Sequence, residues 1–216
     1  MRTTLLLSMF ILAAATCTAK NDARATITMK NGTVKENVEI KLPKGWDSKL
    51  KIKSGNTEET LPADSVDHFL LWHNDNPEQK AVIKYLGVGR YNHKKDESAP
   101  NDYKVWMSLR SAGDHLSYWI SFNKIKLKSN AIKYEIGSDT HYFLKRGAEY
   151  AIMIPVDPMF MGRTNNWLKA FLRDDPELVK NITDKGYTSR KQAYHQGTNY
   201  NPILLEEIAV DYNPKR

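Results

Sequence analysis

Residues 103–128 read YKVWMSLRSAGDHLSYWISFNKIKLK and predict an antiparallel hairpin on which the rest of the chain is organised. Apolar and polar side chains alternate in both halves of this stretch, and a period of two is that of a β-strand. Gly113 and Asp114 supply turn chemistry between the halves, and Gly113 can adopt a positive φ without a steric penalty. Trp106 and Trp119 fall on the otherwise polar faces, which predicts that the second face is also covered in part.

Alternating stretches also lie before and after this hairpin. Asn31 and Gly32 separate two of them near the N-terminus, which predicts a two-residue hairpin turn with positive φ at both residues. The apolar-rich residues 65–73 predict an inner strand. About ten or eleven strands joined by short turns are typical of an antiparallel meander, a sandwich or a partly open barrel.

The pattern changes near Thr164, where apolar side chains begin to recur at helical spacing. Thr164 or Asn165 is expected to cap the first helix. Pro176 at a first helical position and Gly186 as a terminator delimit a second helix, and Asn201 precedes a third. The predicted fold is therefore mainly β with a short helical C-terminal subdomain, and α+β overall.

The expected domain organisation follows from these patterns. Residues 92–102, NHKKDESAPND, contain no apolar residue except Ala99 and Pro100 and predict an exposed polar loop between two β segments. The expected segments are a signal peptide (1–19), an N-terminal antiparallel β segment (20–91), the polar loop (92–102), a second β segment packed on the first (103–162) and a helical C-terminal subdomain (163–216).

Residues 1–19 have the pattern of a secretory signal peptide. The apolar stretch over residues 5–15 is too short to span a bilayer comfortably, because spanning takes about 20 apolar residues. Small Cys17 and Ala19 favour cleavage after Ala19; the alternative is a lipid anchor on Cys17, against which the bulkier Thr16 counts. The chain is predicted to be exported to the periplasm or the cell surface, with no transmembrane segment after cleavage.

The sequence offers little for catalytic or metal chemistry. Cys17 is the only cysteine, so a chain cleaved after Ala19 has no disulfide, no thiol nucleophile and no cysteine-based metal site. His68 and His73 are expected to face opposite sides of a strand and so cannot chelate one metal ion. The residues 87–90, GVGR, begin like a dinucleotide loop, but the third glycine is missing and they predict a bulge or a strand end. No catalytic residue, metal or cofactor is assigned.

Five stretches together carry a resemblance to a known group. They are TITMKNGTVKENVEI, LKIKSGNTEETLPADSVDHFLLW, HYFLKRGAEYAIMI, WLKAFLRDDPELVKNITDKGY and IAVDYN. They resemble an uncharacterised family of exported, periplasmic or surface bacterial proteins of unknown function, which pair an NG hairpin with a C-terminal helical segment. The resemblance implies export and a bacterial envelope setting, and it carries no catalytic residue to this chain.

The basic residues suggest a binding surface for polyanions. The net charge is +7, and export argues against nucleic acid, so an anionic glycan or an envelope protein is the expected partner. The alternative is that the lysines only protect strand edges from aggregation. The basic candidates are Lys124, Lys126 and Lys128 on one strand face, with Arg90, His93, Lys94 and Lys95 expected nearby.

A second candidate contact is the apolar loop Met159, Phe160 and Met161. Three such side chains either fill the space between the sheet and the helices or form an exposed contact with a partner. The first interpretation is preferred, with packing against the helix that carries Trp167 and Phe171.

The preferred function is therefore an exported non-enzymatic binding or scaffold module of the bacterial envelope with an unknown ligand. The alternative is a hydrolase that acts on envelope glycan or peptide through a site assembled in space from distant residues. A deep cleft with converging polar side chains would favour the enzyme, and a flat or apolar contact surface would favour the scaffold.

The leader predicts that export removes residues 1–19 and leaves a chain that begins at Lys20. Intact-mass analysis of protein from the native host measures this directly. A mass that corresponds to acylated Cys17 would contradict cleavage after Ala19 and would identify a lipoprotein.

Overall fold

The computed structural model describes residues 22–137, 140–155, 161–185, 187–188 and 203–214. They form a mainly β fold with three short helices towards the C-terminal end, which confirms the predicted fold class. The strands are β1 (Ala23–Met29), β2 (Val34–Lys41), β3 (Lys49–Ser54), β4 (Thr57–Pro62), β5 (Val66–His73), β6 (Asn76–Asn92), β7 (Glu97–Ala112), β8 (Leu116–Ser121), β9 (Lys124–Lys128), β10 (Ala131–Glu135), β11 (His141–Lys145), β12 (Tyr150–Met153), β13 (Tyr187–Thr188) and β14 (Ile203–Leu204). The helices are α1 (Met161–Phe171), α2 (Pro176–Lys185) and α3 (Leu205–Asp211).

Strand β6 changes partner along its length. Its first half pairs antiparallel with β5, where Phe69 lies opposite Ile83. Its second half pairs in parallel with β12, where Tyr150 lies opposite Gly87. Because β7, β8, β11 and β12 follow in order from the other edge of β6, this parallel pairing closes a five-stranded barrel. The strands β5, β1, β2, β3 and β4 continue the sheet away from the barrel.

Two glycines make the closure of the barrel sterically feasible. A Cβ atom at Gly89 would overlap the ring of Tyr150, and one at Gly87 would lie 3.3 Å from the Tyr150 Cβ. The pairing of β6 with β7 also shifts register between these two glycines, which confirms the bulge that the sequence predicts there. The glycines therefore serve the packing of the barrel seam.

The barrel interior is filled by side chains at alternating strand positions, as a period of two requires. All five barrel strands contribute buried residues to it: Leu86, Val88, Met107, Trp119, Tyr142 and Ala151. Trp119 of β8 points into the barrel, as does Leu109 opposite it on β7. Leu116, Tyr118 and Ile120 are an odd number of residues away from Trp119 along β8, so they point out of the barrel. Both faces of the central hairpin are thus buried, and the coverage of its second face is more complete than predicted.

The outward face of the barrel packs against the helices. Trp167 and Phe171 of α1, Leu178 of α2 and Ile208 of α3 share one buried cluster with Tyr118 of β8. The helices are too short to be stable alone, so this shared cluster is what holds them.

One of the three helices begins where the sequence predicts, and the other two do not. Helix α2 begins at Pro176 as predicted, and Asp175 caps it by accepting the Leu178 N–H at 3.0 Å. Helix α1 begins at Met161, ahead of the predicted cap, and the buried Thr164 instead donates its hydroxyl hydrogen to the Pro155 carbonyl oxygen. Helix α3 begins later than predicted, because β14 pairs with β13 immediately before it.

A second core lies under the N-terminal strands. Buried apolar side chains of β1, β2, β3 and β5 meet Trp106 and Phe122 there, and the hairpin of β9 and β10 covers part of it through Ile125. Trp106 stands 5.4 Å from Phe69, ring centroid to ring centroid, in an edge-on contact. Trp106 therefore belongs to a barrel strand while its side chain fills the neighbouring core.

The structure corrects the prediction of an exposed polar loop over residues 92–102. Most of it is strand, because Asn92 pairs with Glu97 and the β6–β7 ladder continues through these exposed polar residues. A backbone ladder needs no apolar side chains, which is why the sequence pattern missed it. The tip is held by Tyr91, whose carbonyl oxygen accepts the Trp167 indole N–H at 3.2 Å, and by the ion pair between Asp96 and Arg173.

Two predicted turn geometries are also corrected. The N-terminal turn is a three-residue loop over residues 30–32, since the Met29 N–H donates to the Thr33 carbonyl oxygen at 2.8 Å and the Gly32 N–H donates to the Met29 carbonyl oxygen at 2.9 Å. Gly32 has a φ of 85°, whereas Asn31 is not among the residues with positive φ. Gly113 does not have a positive φ either. A glycine is required at position 113 because a Cβ atom there would lie 2.5 Å from the Ala209 carbonyl oxygen of α3.

The positive φ of Gly32 predicts the effect of a single substitution. Gly32→Val should reduce the free energy of unfolding by more than about 1 kcal/mol, because a β-branched residue resists the left-handed region. Denaturant unfolding measures the change. Lys30→Val in the same exposed turn is the matched control and should have a much smaller effect. Equal losses in the two variants would contradict this account of the turn.

Candidate functional site

The lysines predicted on one strand face do share such a face. Lys124, Lys126 and Lys128 are exposed on β9, while Ile125 between them packs into the second core. Lys126 pairs with Glu135 of β10, and the hydrogen bond from its ammonium group lowers the pKa of that carboxyl. Part of the positive charge of this face is therefore neutralised.

The other predicted basic residues are carried by a different part of the fold. Arg90, His93, Lys94 and Lys95 are exposed around the tip of the β6–β7 hairpin. This tip packs against α1 through Tyr91, whereas β9 packs on the second core. The two predicted basic groups are thus supported by different cores.

The predicted apolar loop cannot be compared with the structure. Met159 and Phe160 lie outside the described residues. Met161 is the first residue of α1, and its side chain is likewise outside the description.

A basic face that the sequence analysis did not single out lies on β2 and β3. Ile40, Leu50 and Ile52 point into the second core, so the lysines that alternate with them point outward. Lys41 lies opposite Lys51 across the two strands. The outward lysines of this face are Lys41, Lys49, Lys51 and Lys53.

Two of the four carboxylates around this face, which are Glu39, Asp47, Glu58 and Glu59, pair with other cations. Glu39 pairs with Arg24 at 3.4 Å, and Glu59 pairs with Lys35 at 2.9 Å. Across the described residues, Lys41, Lys49 and Lys51 have no carboxylate within ion-pair distance. The positive charge of these three lysines is therefore available to a ligand.

Two shallow cavities run along the same face. One has a volume of about 440 Å³ and lies over β2, β3 and β4, where Thr60 borders it. The other has a volume of about 290 Å³ and lies against the loop of residues 42–48, where Pro43 borders it. Lys41 and Lys51 line both cavities, so the two cavities adjoin at these lysines. We call the two adjoining cavities, with Lys41, Lys49, Lys51 and Lys53, the lysine groove.

The loop at one end of the lysine groove is held firmly by Trp106. The backbone N–H of Trp106 donates to the Gly45 carbonyl oxygen at 2.7 Å, and its indole N–H donates to the Asp47 carbonyl oxygen at 2.8 Å. The Asp47 carboxylate also accepts the Lys44 N–H at 2.8 Å. Gly45 is packed so closely that a Cβ atom there would overlap the Phe122 carbonyl oxygen. The loop is therefore tied to a buried side chain and is a preformed wall of the groove.

The sequence did contain a signal for this face. Residues 49–53 read KLKIK, the same alternation as KIKLK at 124–128, and this alternation alone predicts only a strand with lysines on one face. The proximity of Lys41 to Lys51 depends on the pairing of β2 with β3, which spacing alone does not reveal.

The half-buried His141 is the described group that most resembles a catalytic residue. His141 Nδ1 lies 2.5 Å from the Tyr118 hydroxyl oxygen, and the two rings are stacked. Burial lowers the pKa of His141 to about 4 and raises the pKa of Tyr118. Both groups are therefore neutral near pH 7. Tyr118 lies in the cluster that packs the helices on the barrel, which gives the pair a structural role.

The hydrolase alternative would need two opposed carboxyl groups across a cleft. In the lysine groove, Glu39 and Glu58 each lie opposite Lys53, on either side of β3. Two strand spacings separate their backbones by about 10 Å, with a lysine between them. The groove is a shallow surface of the sheet and does not enclose a substrate.

Two further structural findings bear on the site. Within the described part of the chain, no group of three or more His, Cys, Asp or Glu residues is placed to hold a metal ion. None of the described helices has the length and apolar character needed to cross a membrane.

Comparison with known proteins adds no relative. No family model, curated protein sequence or solved structure matches this chain significantly. The resemblance to exported bacterial proteins therefore stays a prediction.

The lowered pKa of the half-buried His141 predicts a pH dependence of stability. Its pKa is about 4 in the folded protein against 6.5 for the free group, so the unfolded chain binds more protons between these values. Stability should be constant above this interval and fall as the pH drops, by about 2 kcal/mol between pH 7 and pH 5. Denaturant unfolding at both pH values measures the difference.

His141→Gln should make this pH dependence much smaller, because the titrating group is removed. The exposed His93→Gln is the matched control and should retain the dependence of the unchanged protein. The same dependence in all three proteins would show that another group causes it.

Proposed function

We propose that this chain is an exported, non-enzymatic binding module of the bacterial envelope that binds a polyanion in its lysine groove. The observation that carries the proposal is the set of exposed lysines without described carboxylate partners, above all Lys41, Lys49 and Lys51. The leader-like residues 1–19 support export, and an envelope location favours an anionic glycan as the ligand.

The spacing of the charges suits a polymer. Alternate residues of one strand are separated by about 7 Å, and neighbouring strands by about 5 Å. Lys49, Lys51 and Lys53 therefore form a row of cations along β3, with Lys41 beside the row. An exposed ion pair contributes only about 0 to 1 kcal/mol, so useful affinity requires several contacts at once. A ligand with regularly repeated negative charges meets that requirement.

The rigidity of the surface also favours binding. The inward side chains of β2 and β3 are buried in the second core, and Trp106 holds the adjoining loop. A preformed surface loses less conformational entropy when a ligand binds. Lysine side chains still have to be ordered, which keeps the expected affinity moderate.

A non-enzymatic role is preferred to hydrolysis because of the shape of the groove. Hydrolases that use two carboxyl groups place them about 5 to 9 Å apart on either side of the scissile bond. Here Lys53 stands between Glu39 and Glu58, and the groove lies open on the sheet. A lysine between the two acids holds their carboxyl groups apart and leaves no space for a scissile bond there.

A groove variant tests the proposal. Replacing Lys41, Lys49 and Lys51 together with glutamine should weaken binding to polygalacturonate at least about tenfold and flatten the dependence of affinity on salt. Calorimetric titration at two ionic strengths measures both quantities. Because the three positions are exposed, the variant should keep the unfolding midpoint of the unchanged protein.

The matched control removes the same charge from the other lysine face. In this control, Lys124, Lys126 and Lys128 on β9 are replaced by glutamine. It should change the affinity for polygalacturonate by less than about threefold, because one of these lysines is already paired. Equal losses of affinity in the two variants would show that binding depends only on net charge and would contradict a specific groove. Normal binding by the groove variant would also contradict the proposal.

A further inference from the structure

Trp46 is an exception among the tryptophans of this chain. It is 60% exposed, whereas the other four of the five, Trp72, Trp106, Trp119 and Trp167, are buried. Burial of an aromatic side chain of this size is strongly favourable, so an indole left in water is unusual in a protein that buries its other indoles. Single exposed apolar residues are common, and exposure alone does not define a site. The surroundings of Trp46 supply the further evidence.

The backbone that carries Trp46 is fixed on both sides. The carbonyl oxygens of Gly45 and Asp47 both accept hydrogen bonds from Trp106, at 2.7 Å and 2.8 Å. Gly45 itself is buried and packed against the Phe122 carbonyl oxygen. The fold therefore holds the two neighbours of Trp46 tightly and still directs the indole into solvent. Because the backbone is fixed, only the two side-chain torsions of Trp46 remain to be ordered when a ligand binds.

Trp46 also stands next to the lysine groove. Its loop connects Lys41, the last residue of β2, to Lys49, the first residue of β3. On either side of Trp46, Pro43 and Asp47 line the cavity that Lys41 and Lys49 also line. Trp46 itself lines neither cavity, so the indole belongs to the loop that joins the two lysine-bearing strands and adjoins the groove through Pro43 and Asp47.

This combination restricts the chemistry of the ligand. The lysines require negative charge, and a flat aromatic face suits a ring whose own face is apolar. A pyranose ring presents C–H groups on its face and hydroxyl or carboxylate groups at its edge. A polymer of acidic sugars therefore offers repeated charges to the lysines and a ring face to Trp46. Polyphosphate offers the charges alone.

We propose that Trp46 and the lysine groove form one binding site for an acidic polysaccharide, with the indole as the platform for a sugar ring. This inference rests on the proposed function and adds the class of ligand to it. The indole contributes selectivity for rings over other polyanions, and the lysines contribute attraction to charge. A single-stranded nucleic acid also combines rings with charges, but the leader-like N-terminus favours a glycan.

The test compares three polymers on the unchanged protein and on Trp46→Ala. The polymers are polygalacturonate, its neutral methyl ester and polyphosphate. Trp46→Ala should weaken binding to polygalacturonate about tenfold and change binding to polyphosphate by less than about twofold. Trp46→Phe should recover most of the lost affinity, because it restores an aromatic face. The methyl ester should bind at least about tenfold more weakly than polygalacturonate, because it lacks the charges.

A control variant addresses general effects of removing an exposed aromatic side chain. Tyr103→Ala removes such a side chain from β7 and should leave the affinity for all three polymers unchanged. Because Trp46 is exposed, Trp46→Ala should also retain the unfolding midpoint of the unchanged protein. Binding of polygalacturonate should shift the fluorescence of the unchanged protein and shift that of Trp46→Ala much less.

The possible outcomes separate the two proposals. If Trp46→Ala binds polygalacturonate normally while the groove variant does not, the polysaccharide inference is wrong and the polyanion proposal stands. If the groove variant binds both anionic polymers normally, the proposed function is wrong. If single-stranded DNA binds more tightly than polygalacturonate and depends on Trp46, the site belongs to nucleic acid and the polysaccharide inference is overturned.

Discussion

The division of β6 between two partners is the constraint on which the rest of the structure depends. Its first half continues the N-terminal sheet through β5, and its second half closes the barrel through the parallel pairing with β12. The closure brings Tyr150 across Gly87 and Gly89, where larger side chains would meet its side chain. One strand thereby supports two cores, and closing the barrel also covers edges that would otherwise be free to pair with other chains.

The two cores are connected to the candidate site through Trp106. This residue belongs to a barrel strand, packs against Phe69 in the second core and bonds to Gly45 and Asp47. The packing that stabilises the sheet therefore also positions the loop of Trp46. A binding surface that depends on core packing in this way is preformed, and its ligand need not reorganise the fold.

The sequence predicted local structure better than connections between distant parts. Alternation in residues 103–128 correctly indicated the central hairpin, and Pro176 correctly marked the start of α2. Barrel closure could not be predicted in the same way, because it depends on β12 meeting a strand some sixty residues earlier in the chain, and period-two patterns do not specify partners. The same limit explains why the sequence did not predict the candidate site. The loop of Trp46 is positioned by hydrogen bonds from Trp106, which lies 59 residues beyond Asp47 in the chain.

The central claim is that the lysine groove beside Trp46 is the ligand-binding surface of this chain. The most direct measurement is an NMR titration of the ¹⁵N-labelled protein with short oligomers of galacturonic acid. The account predicts chemical-shift changes confined to residues 41–53 and the Trp46 indole N–H, with those around Lys126 unaffected. Changes centred on β9 or on the tip of the β6–β7 hairpin, or no changes at all, would contradict it.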